Sequence, residues 1–179
     1  MTLSGGEPMA QPAFALELSR AACEKGLSVC VETCGQCDRD ALEAMLPYVS
    51  LFLYDFKIAP GEEHRRYTGT DGSRIRQNLE ALDRAGAGLW LRCPIIPDVN
   101  LSQAHFDAIA ELTARCRGIQ RVDLEPYHPL GLDKLRKLGR EADYTNADFL
   151  DRGAVEPLAR ALAKRVDVPV TLGGEMIDP

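Results

Sequence analysis

Short apolar runs alternate with amphipathic segments along this chain. The runs are nearly continuous, which is typical of parallel strands covered by helices. We predict six strands, at residues 1–4, 27–32, 51–56, 89–93, 121–125 and 168–172. The amphipathic segments repeat apolar side chains every three or four residues, which indicates helices between the strands.

Five helices are predicted in these intervals. Gly26 and Gly86 are placed to end the first and third helices, since glycine suits the left-handed residue that follows a helix. Ser102 is placed to cap the fourth helix with its hydroxyl oxygen. The last helix spans about 154–164, and the apolar stripes of the other four are Phe14, Leu18, Ala21 and Ala22; Leu42, Met45, Leu46 and Val49; Ile75, Leu79 and Leu82; Phe106, Ile109, Leu112 and Cys116.

A unit of one strand and one helix recurs roughly every 25 to 45 residues, which predicts an α/β fold with a parallel sheet. Right-handed crossovers allow a doubly wound sheet or a barrel, and composition does not choose between them. The 179 residues are expected to form one domain, 1–179. The charged stretch 130–146 is expected to be an active-site loop.

Charge and hydropathy exclude two classes of partner. The chain has 21 Lys and Arg against 27 Asp and Glu, and no basic cluster with aromatics, so we expect no nucleic acid partner. The longest apolar stretch, 48–56, is interrupted by Asp55 and is too short to span a bilayer, so we expect no membrane partner. Six cysteines without a signal peptide indicate reduced thiols, no disulfide and a cytoplasmic protein.

Polar residues follow five successive strands at their carboxyl ends, where ligands bind in both candidate folds. A packed core does not need such groups, so we predict a binding site there. The groups are Ser4-Gly5-Gly6-Glu7, then Glu32-Thr33-Cys34-Gly35, then Asp55 and Lys57, then Arg92, and then Glu125 with Tyr127 and His128.

The first of these groups suits a ligand that carries an ammonium group. Gly5 and Gly6 lack a Cβ, so their backbone can approach a ligand closely. Glu7 places a carboxylate beside this backbone, and Pro8 suits the first position of a following helix.

Several motifs lie along the chain in a characteristic order and spacing. They are Ser-Gly-Gly-Glu-Pro at 4–8, Glu-Thr-Cys-Gly at 32–35, Leu-Tyr-Asp-Phe-Lys at 53–57, His64 with Tyr-Thr-Gly at 67–69, Leu-Arg-Cys-Pro-Ile-Ile-Pro at 91–97 with Asn100, Pro-Tyr-His at 126–128, Gly131, Lys134 and Leu-Gly at 138–139. In these motifs the chain resembles the glycyl-radical enzyme activating enzymes, such as pyruvate formate-lyase activating enzyme, of the radical SAM superfamily.

The resemblance implies a partial, TIM-like (β/α) barrel that holds S-adenosylmethionine (SAM) across its strand ends. Asp55, together with Glu32, matches a family position associated with a monovalent cation. The positions that match SAM-binding positions are Gly5, Gly6, Glu7 and Pro8 at the methionine amine, Glu32 and Thr33 at the methionine end, Lys57 and Arg92 at the carboxylate, and His128 near ribose and adenine.

The family also implies a [4Fe–4S] cluster, held by a C-x-x-x-C-x-x-C motif after the first strand of the barrel. We expect that strand and motif to precede Met1, so the barrel would lack its first βα unit and the chain would hold no iron–sulfur ligand. The full-length protein would place a glycyl radical on a partner enzyme such as pyruvate formate-lyase, with flavodoxin or ferredoxin as electron donor. Because the cofactor carries the hard chemistry, this chain alone is expected to be inactive.

Two other functions fit the same residues. The chain could be a cluster-free module that binds SAM or a nucleotide, or a (β/α)-barrel lyase or aldolase with Lys57 as Schiff-base nucleophile.

Cys34 and Cys37 are interpreted as incidental thiols in preference to a redox pair, a metal site or a substitute cluster. His64 is either a family motif residue or an exposed helix start, and His105 is expected to be exposed. A second Gly-Gly-Glu, at 173–175, is expected to be a strand end and tail.

Overall fold

The computed structural model describes residues 1–130, 139 and 144–178. All six predicted strands are confirmed, with ends shifted by at most three residues. The elements run in the order β1 (Thr2–Leu3), a 3₁₀ helix (Pro8–Ala10), α1 (Pro12–Glu24), β2 (Cys30–Thr33), α2 (Arg39–Glu43), β3 (Leu51–Asp55), α3 (Glu62–Thr68), α4 (Ser73–Arg84), β4 (Leu89–Ile95), α5 (Gln103–Arg115), β5 (Ile119–Pro126), α6 (Arg152–Ala163), β6 (Val170–Leu172) and β7 (Glu175–Met176).

The strands of the described residues form one sheet in which spatial order follows chain order from β1 to β7. Strands β1 to β6 are parallel, and β7 runs antiparallel to β6. A doubly wound sheet reverses its strand order at a switch point, whereas a barrel does not. The sequential order therefore resolves the choice that composition left open, in favour of a partial (β/α) barrel.

Side chains alternate between the two faces of this sheet. Phe52 and Tyr54 of β3 are fully buried in the core, which they share with Leu79 of α4. Asp55 lies on the opposite face, and its partner in the parallel register of β4 is Arg92. The charged residues of the strand ends thus share the face that the core helices do not cover.

The helices differ from the prediction in three respects. Helix α3 was not predicted, and α2 ends at Glu43, so that Met45, Leu46 and Val49 of its predicted stripe lie beyond it.

The third difference is the buried face of α1. In α1 the buried residues are Ala15, Ser19 and Ala22, whereas Phe14 is 64% exposed and Ala21 is exposed. The apolar pattern missed this face because one of its members is a serine. In α5 the predicted cap is confirmed, since Ser102 Oγ accepts a hydrogen bond from the backbone N–H of residue 105 at 3.3 Å.

His105 is buried, which corrects the expectation that it is exposed. It is 4% exposed because the first turn of α5 directs it into the core beside Phe106. Its ring stacks on Phe56 with centroids 5.6 Å apart and planes 5° apart. Neither ring nitrogen has a hydrogen-bond partner in the described residues, and burial lowers the pKa of His105 to about 4.

The C-terminal end of the sheet also differs from expectation. The second Gly-Gly-Glu forms the turn of a hairpin, with Gly173 and Gly174 at φ 59° and 85°, and β7 pairs with β6. Of the predicted loop 130–146, residues 131–138 and 140–143 lie outside the described residues, with the motif positions Gly131, Lys134 and Leu138. None of the described helices has the length and hydropathy needed to cross a membrane.

Candidate functional site

Glu7 joins the loop after β1 to the loop after β2. Its Oε1 accepts hydrogen bonds from the Met9 N–H at 2.9 Å and from the Thr33 hydroxyl at 2.8 Å. Its Oε2 accepts the Cys34 N–H at 2.9 Å. Burial would raise the pKa of Glu7, but these hydrogen bonds outweigh burial and lower it. Glu7 is therefore held as a carboxylate, and Oε2 keeps a further acceptor position for a ligand cation.

Two glycines open the approach to this carboxylate. Gly5 and Gly6 have φ values of 89° and 63°, in the left-handed region that side chains rarely adopt. A Cβ added to either would meet no described atom within 4 Å, so conformation rather than space requires glycine. Pro8 begins the 3₁₀ helix, as predicted, at a position where the missing N–H costs no hydrogen bond.

The loop after β2 is fixed by buried hydrogen bonds. The Gly35 N–H donates to Thr33 Oγ1 at 3.0 Å. Asn78, buried on α4, donates through Nδ2 to the carbonyls of Gly35 and Cys37, each at 2.9 Å. Gly35 has φ 69°, and a Cβ there would overlap the hydroxyl of the buried Tyr54. This position therefore requires glycine for both conformation and space.

Arg92 lies at the centre of the charged strand ends. Its Nε and Nη2 donate to the two carboxylate oxygens of Glu125 at 2.9 and 3.1 Å. Its Nη1 forms an ion pair with Glu32 and lies 3.9 Å from Asp55 Oδ1. The hydrogen bonds to Glu125 are the main cause that raises the pKa of Arg92. One guanidinium therefore links the ends of β2, β3, β4 and β5.

Lys57 follows Asp55 at the end of β3, and its Nζ lies 3.6 Å from Asp55 Oδ2. Its carbonyl accepts a hydrogen bond from the buried Asn100 at 2.6 Å, and the same amide donates to Pro94 at 2.6 Å. This bond fixes the backbone of Lys57 against the end of β4. Burial raises the pKa of Asp55, and the nearby positive charges of Lys57 and Arg92 only partly oppose it.

Two adjacent cavities flank these residues and share Cys34, Asp55 and Lys57. The larger one, which we call the second cavity, measures about 200 Å³ and extends towards α3. The first measures about 140 Å³ and is lined by Gly5, Gly6, Glu7, Glu32, Thr33, Cys34, Asp55 and Lys57. It brings together seven of the residues predicted from the sequence, and Arg92 is joined to it through Glu32.

His64 of α3 lines the second cavity and is buried, not exposed at a helix start. Its Nδ1 lies 2.7 Å from the Thr70 carbonyl oxygen and 2.8 Å from the Thr68 hydroxyl. Because a carbonyl only accepts hydrogen bonds, Nδ1 is the donor, and in the neutral ring Nε2 is left as an acceptor.

His128 lies apart from the first cavity. It is exposed on the segment after β5 and is not among the residues that line either of the two cavities. Its neighbour Tyr127 is ordered by an edge-to-face contact with Tyr144, at 5.1 Å between centroids. The Tyr144 hydroxyl in turn donates to the Pro97 carbonyl at 3.0 Å. The segment that carries His128 is thus fixed to the loop after β4.

The spacing C-x-x-x-C-x-x-C occurs once in this chain, at Cys30, Cys34 and Cys37, which the sequence interpretation overlooked. The structure does not gather these thiols, because Cys30 begins β2 and an extended strand carries the chain about 13 Å over four residues. No three described His, Cys, Asp or Glu side chains are placed to hold one metal ion. Burial raises the pKa of Cys37 to about 11, whereas metal binding and redox exchange use thiolates.

Sequence reasoning missed Asn78 as part of the site and noted Asn100 and Glu125 without a role. Both asparagines are buried amides that hold loop carbonyls, so their signal is a polar residue within an apolar stripe or after a strand. Glu125 was named among the strand ends, and its position at the end of β5, one strand away from Arg92, could have indicated the ion pair between them.

Comparison with known sequences finds relatives along nearly the whole chain. An isethionate sulfite-lyase activating enzyme of Nitratidesulfovibrio vulgaris is 40% identical over 169 residues, which is 93% of this chain and 54% of the relative. A benzylsuccinate synthase activating enzyme of Thauera aromatica is 35% identical over 178 residues, 97% of this chain and 54% of the relative. The chain spans about half the length of these relatives, and no protein-family model matches it.

Comparison with solved structures supports the fold. A domain of pyruvate-formate lyase-activating enzyme from Bacteroides vulgatus superposes with a TM-score of 0.79 at 21% identity, covering 97% of this chain and 98% of that one. A radical SAM methyltransferase from Sphaerobacter thermophilus superposes with a TM-score of 0.65 at 17% identity, covering 96% of this chain and 49% of that one. The partial barrel is therefore the fold of radical SAM proteins.

Proposed function

Because this chain is a homologue of the activating enzymes of glycyl-radical enzymes, we propose that it forms the SAM-binding part of such an enzyme. The activity proposed for the whole protein is the removal of a backbone glycine hydrogen from a partner enzyme. The partner is a glycyl-radical enzyme such as a formate-lyase or a related lyase. The names of the relatives support this class of partner.

The observation that carries the proposal is the charge pattern around the first cavity. SAM has a sulfonium and an ammonium against one carboxylate, so it carries a net positive charge. Two cations, Lys57 and Arg92, stand against four carboxylates, so the site favours a positively charged ligand. The carboxylates are Glu7, Glu32, Asp55 and Glu125.

The residues present fit the methionine end of SAM. Glu7 has an acceptor position for the ammonium beside the open backbone of Gly5 and Gly6, and Lys57 offers donors to the carboxylate. A monovalent cation bound by Glu32 and Asp55 would share these carboxylates with the Nη1 of Arg92. His128 is proposed to reach the ribose from the far side of the site.

The family uses a [4Fe–4S] cluster, which when bound supplies the electron for SAM cleavage. Within the described residues no cysteine group is placed to hold such a cluster. The role proposed for this chain is therefore to bind and orient SAM, and the electron donor proposed for the whole protein is flavodoxin or ferredoxin.

A thermal-unfolding titration with SAM tests this proposal. At a SAM concentration tenfold above Kd, binding stabilises a protein by about 1.4 kcal/mol, which raises Tm by roughly 3–6 °C in a chain of this size. A matched variant, Glu7→Gln, removes the carboxylate at the ammonium and is expected to reduce the shift. An unchanged Tm at millimolar SAM contradicts the proposal.

The Schiff-base alternative receives no support from the site. A nucleophilic lysine is activated by an apolar pocket or by a neighbouring cation. Lys57 instead pairs with a carboxylate, and its side chain is 47% exposed. Borohydride trapping with a carbonyl substrate is expected to leave Lys57 unmodified.

A further inference from the structure

The two cations of the site differ in how completely the protein occupies their donors. Arg92 has Nε and Nη2 on Glu125 and Nη1 on Glu32, so each of its three nitrogens faces a carboxylate and three of its five N–H donors are taken. Lys57 has one ion pair among the described residues, with Asp55 at 3.6 Å. An ammonium has three donors, so Lys57 keeps donors for a ligand.

Glu125 accounts for most of this difference. It engages the guanidinium through two parallel hydrogen bonds, the arrangement in which an arginine and a carboxylate bind most strongly. Its backbone is fixed on β5, because Glu125 pairs with Pro94 of β4 and the next pair joins Pro126 to Ile95. Its side chain is 40% exposed, so a substitution there leaves the core intact.

We propose that Glu125 is a positioning residue that withholds Arg92 from the ligand and leaves Lys57 to recognise the ligand carboxylate. This inference rests on the proposed function, since it names how the SAM site reads one group of SAM. Arg92 then serves to hold the carboxylates of β2 and β5 together, and it does not bind the ligand. Nothing in the length or charge of the two side chains would assign these roles, because either cation could bind a carboxylate.

Substitution of Glu125 is expected to release Arg92. In Glu125→Gln the paired carboxylate is lost, and the planar fork of Arg92 becomes available for a ligand carboxylate. The variant gains recognition of the carboxylate through Arg92. Loss of a residue that merely supported the fold would instead weaken binding of every ligand equally.

The first test needs no ligand. The Arg92 Nε–H signal in ¹H–¹⁵N spectra is assigned by its loss in Arg92→Lys. We expect its hydrogen exchange to be at least about tenfold slower than that of the exposed Arg66, and to become comparable to Arg66 in Glu125→Gln. Fast exchange of Arg92 Nε–H in the unaltered chain overturns the proposal, whether or not the chain binds SAM.

The second test compares SAM with decarboxylated SAM by calorimetry in variants that retain the Tm of the unaltered chain. The quantity measured is the ratio of the two Kd values. Lys57→Met is expected to reduce the preference for SAM about tenfold more than Arg92→Met does. Arg92→Met is the control, because it removes a positive charge that does not contact the ligand carboxylate. Equal effects of these two substitutions overturn the proposal.

The double variant completes this comparison. Arg92→Met is expected to reduce the preference for SAM strongly in the Glu125→Gln background, where the guanidinium is released, and weakly in the unaltered background. The same effect in both backgrounds overturns the proposal. If the unaltered chain binds neither compound, the proposed function fails together with the role of Lys57, and the exchange measurement alone decides whether Glu125 holds Arg92.

Discussion

The loop after β2 and the ends of β3, β4 and β5 are two halves of one site, and they are held by different forces. In the loop, Glu7 and the buried Asn78 bond to backbone N–H and carbonyl groups. At the strand ends, Arg92 bonds to half-exposed carboxylates such as Glu125. One half is built on backbone geometry and the other on side-chain charge.

This difference predicts different responses to a ligand. A loop whose carbonyls and N–H groups are bound by buried side chains has one arrangement, and salt has little effect on it. Single ion pairs between partly exposed side chains, such as that of Lys57 with Asp55, are weak and exchange partners at small cost, whereas the bidentate pair of Arg92 with Glu125 is stronger. We infer that the loop is the rigid wall of the site and that, among the strand ends, Lys57 adjusts to the charge of the ligand while Arg92 stays on Glu125.

The largest expected effect on this comparison comes from Gly35→Ala. The added Cβ would overlap the Tyr54 hydroxyl and lie 2.9 Å from Cε2 of that ring, and the residue has φ 69°. Overpacking and the left-handed conformation together are expected to cost roughly 3–5 kcal/mol. Urea unfolding of the variant measures this loss.

A matched control separates the two costs. Gly26 has φ 74°, and a Cβ there meets no described atom within 4 Å. Gly26→Ala is therefore expected to lose only the conformational part, about 1–2 kcal/mol. Equal losses in the two variants would mean that the loop after β2 yields to the new methyl group and is not a rigid wall.

The fold was largely predictable because its signal is periodic. Runs of apolar residues located six strands, and Ser102 and Gly86 marked helix ends that the structure confirms. The buried face of α1 was wrong because Ser19 belongs to it while Phe14 does not. A pattern of apolar residues cannot identify a buried serine or an exposed phenylalanine.

The site was predictable as a set of strand ends and not as a set of contacts. Parallel strands bring Glu32, Asp55 and Arg92 to one edge, and this follows from topology alone. Whether Arg92 faces a ligand or Glu125 depends on strand register and side-chain geometry, which single-residue patterns do not carry. His105 was missed for a related reason, since a histidine in a first helical turn is usually exposed.

A smaller expected effect tests whether the charged half of the site, at the ends of β3, β4 and β5, also depends on His105, a buried neutral group behind it. His105 stacks on Phe56, which lies between Asp55 and Lys57. The pKa of His105 is about 4, below the ordinary 6.5. Between pH 4 and pH 6.5 the unfolded state therefore binds a proton at His105 more readily than the folded state does. Stability is therefore lost as pH falls from 6.5 to 4, by at most about 3 kcal/mol.

The variant His105→Phe removes this titration. It is expected to abolish the part of the pH dependence that His105 causes, while the contribution of Asp55, which is common to both proteins, cancels in the difference. Urea unfolding at pH 7, 5.5 and 4 measures it. If the free energies of unfolding of the variant and the unaltered chain differ by the same amount at all three pH values, His105 finds a partner when charged and the prediction is wrong.

The smallest expected effect is that of Lys57→Met on stability without ligand. The pair with Asp55 is 3.6 Å long and the Lys57 side chain is 47% exposed, so its loss is expected to cost less than about 1 kcal/mol. Urea unfolding in low and high salt measures this cost and its screening. A loss above about 2 kcal/mol would mean that Lys57 supports the fold as the loop residues do. A small loss combined with weakened SAM binding would instead place Lys57 in the half of the site whose charges serve the ligand.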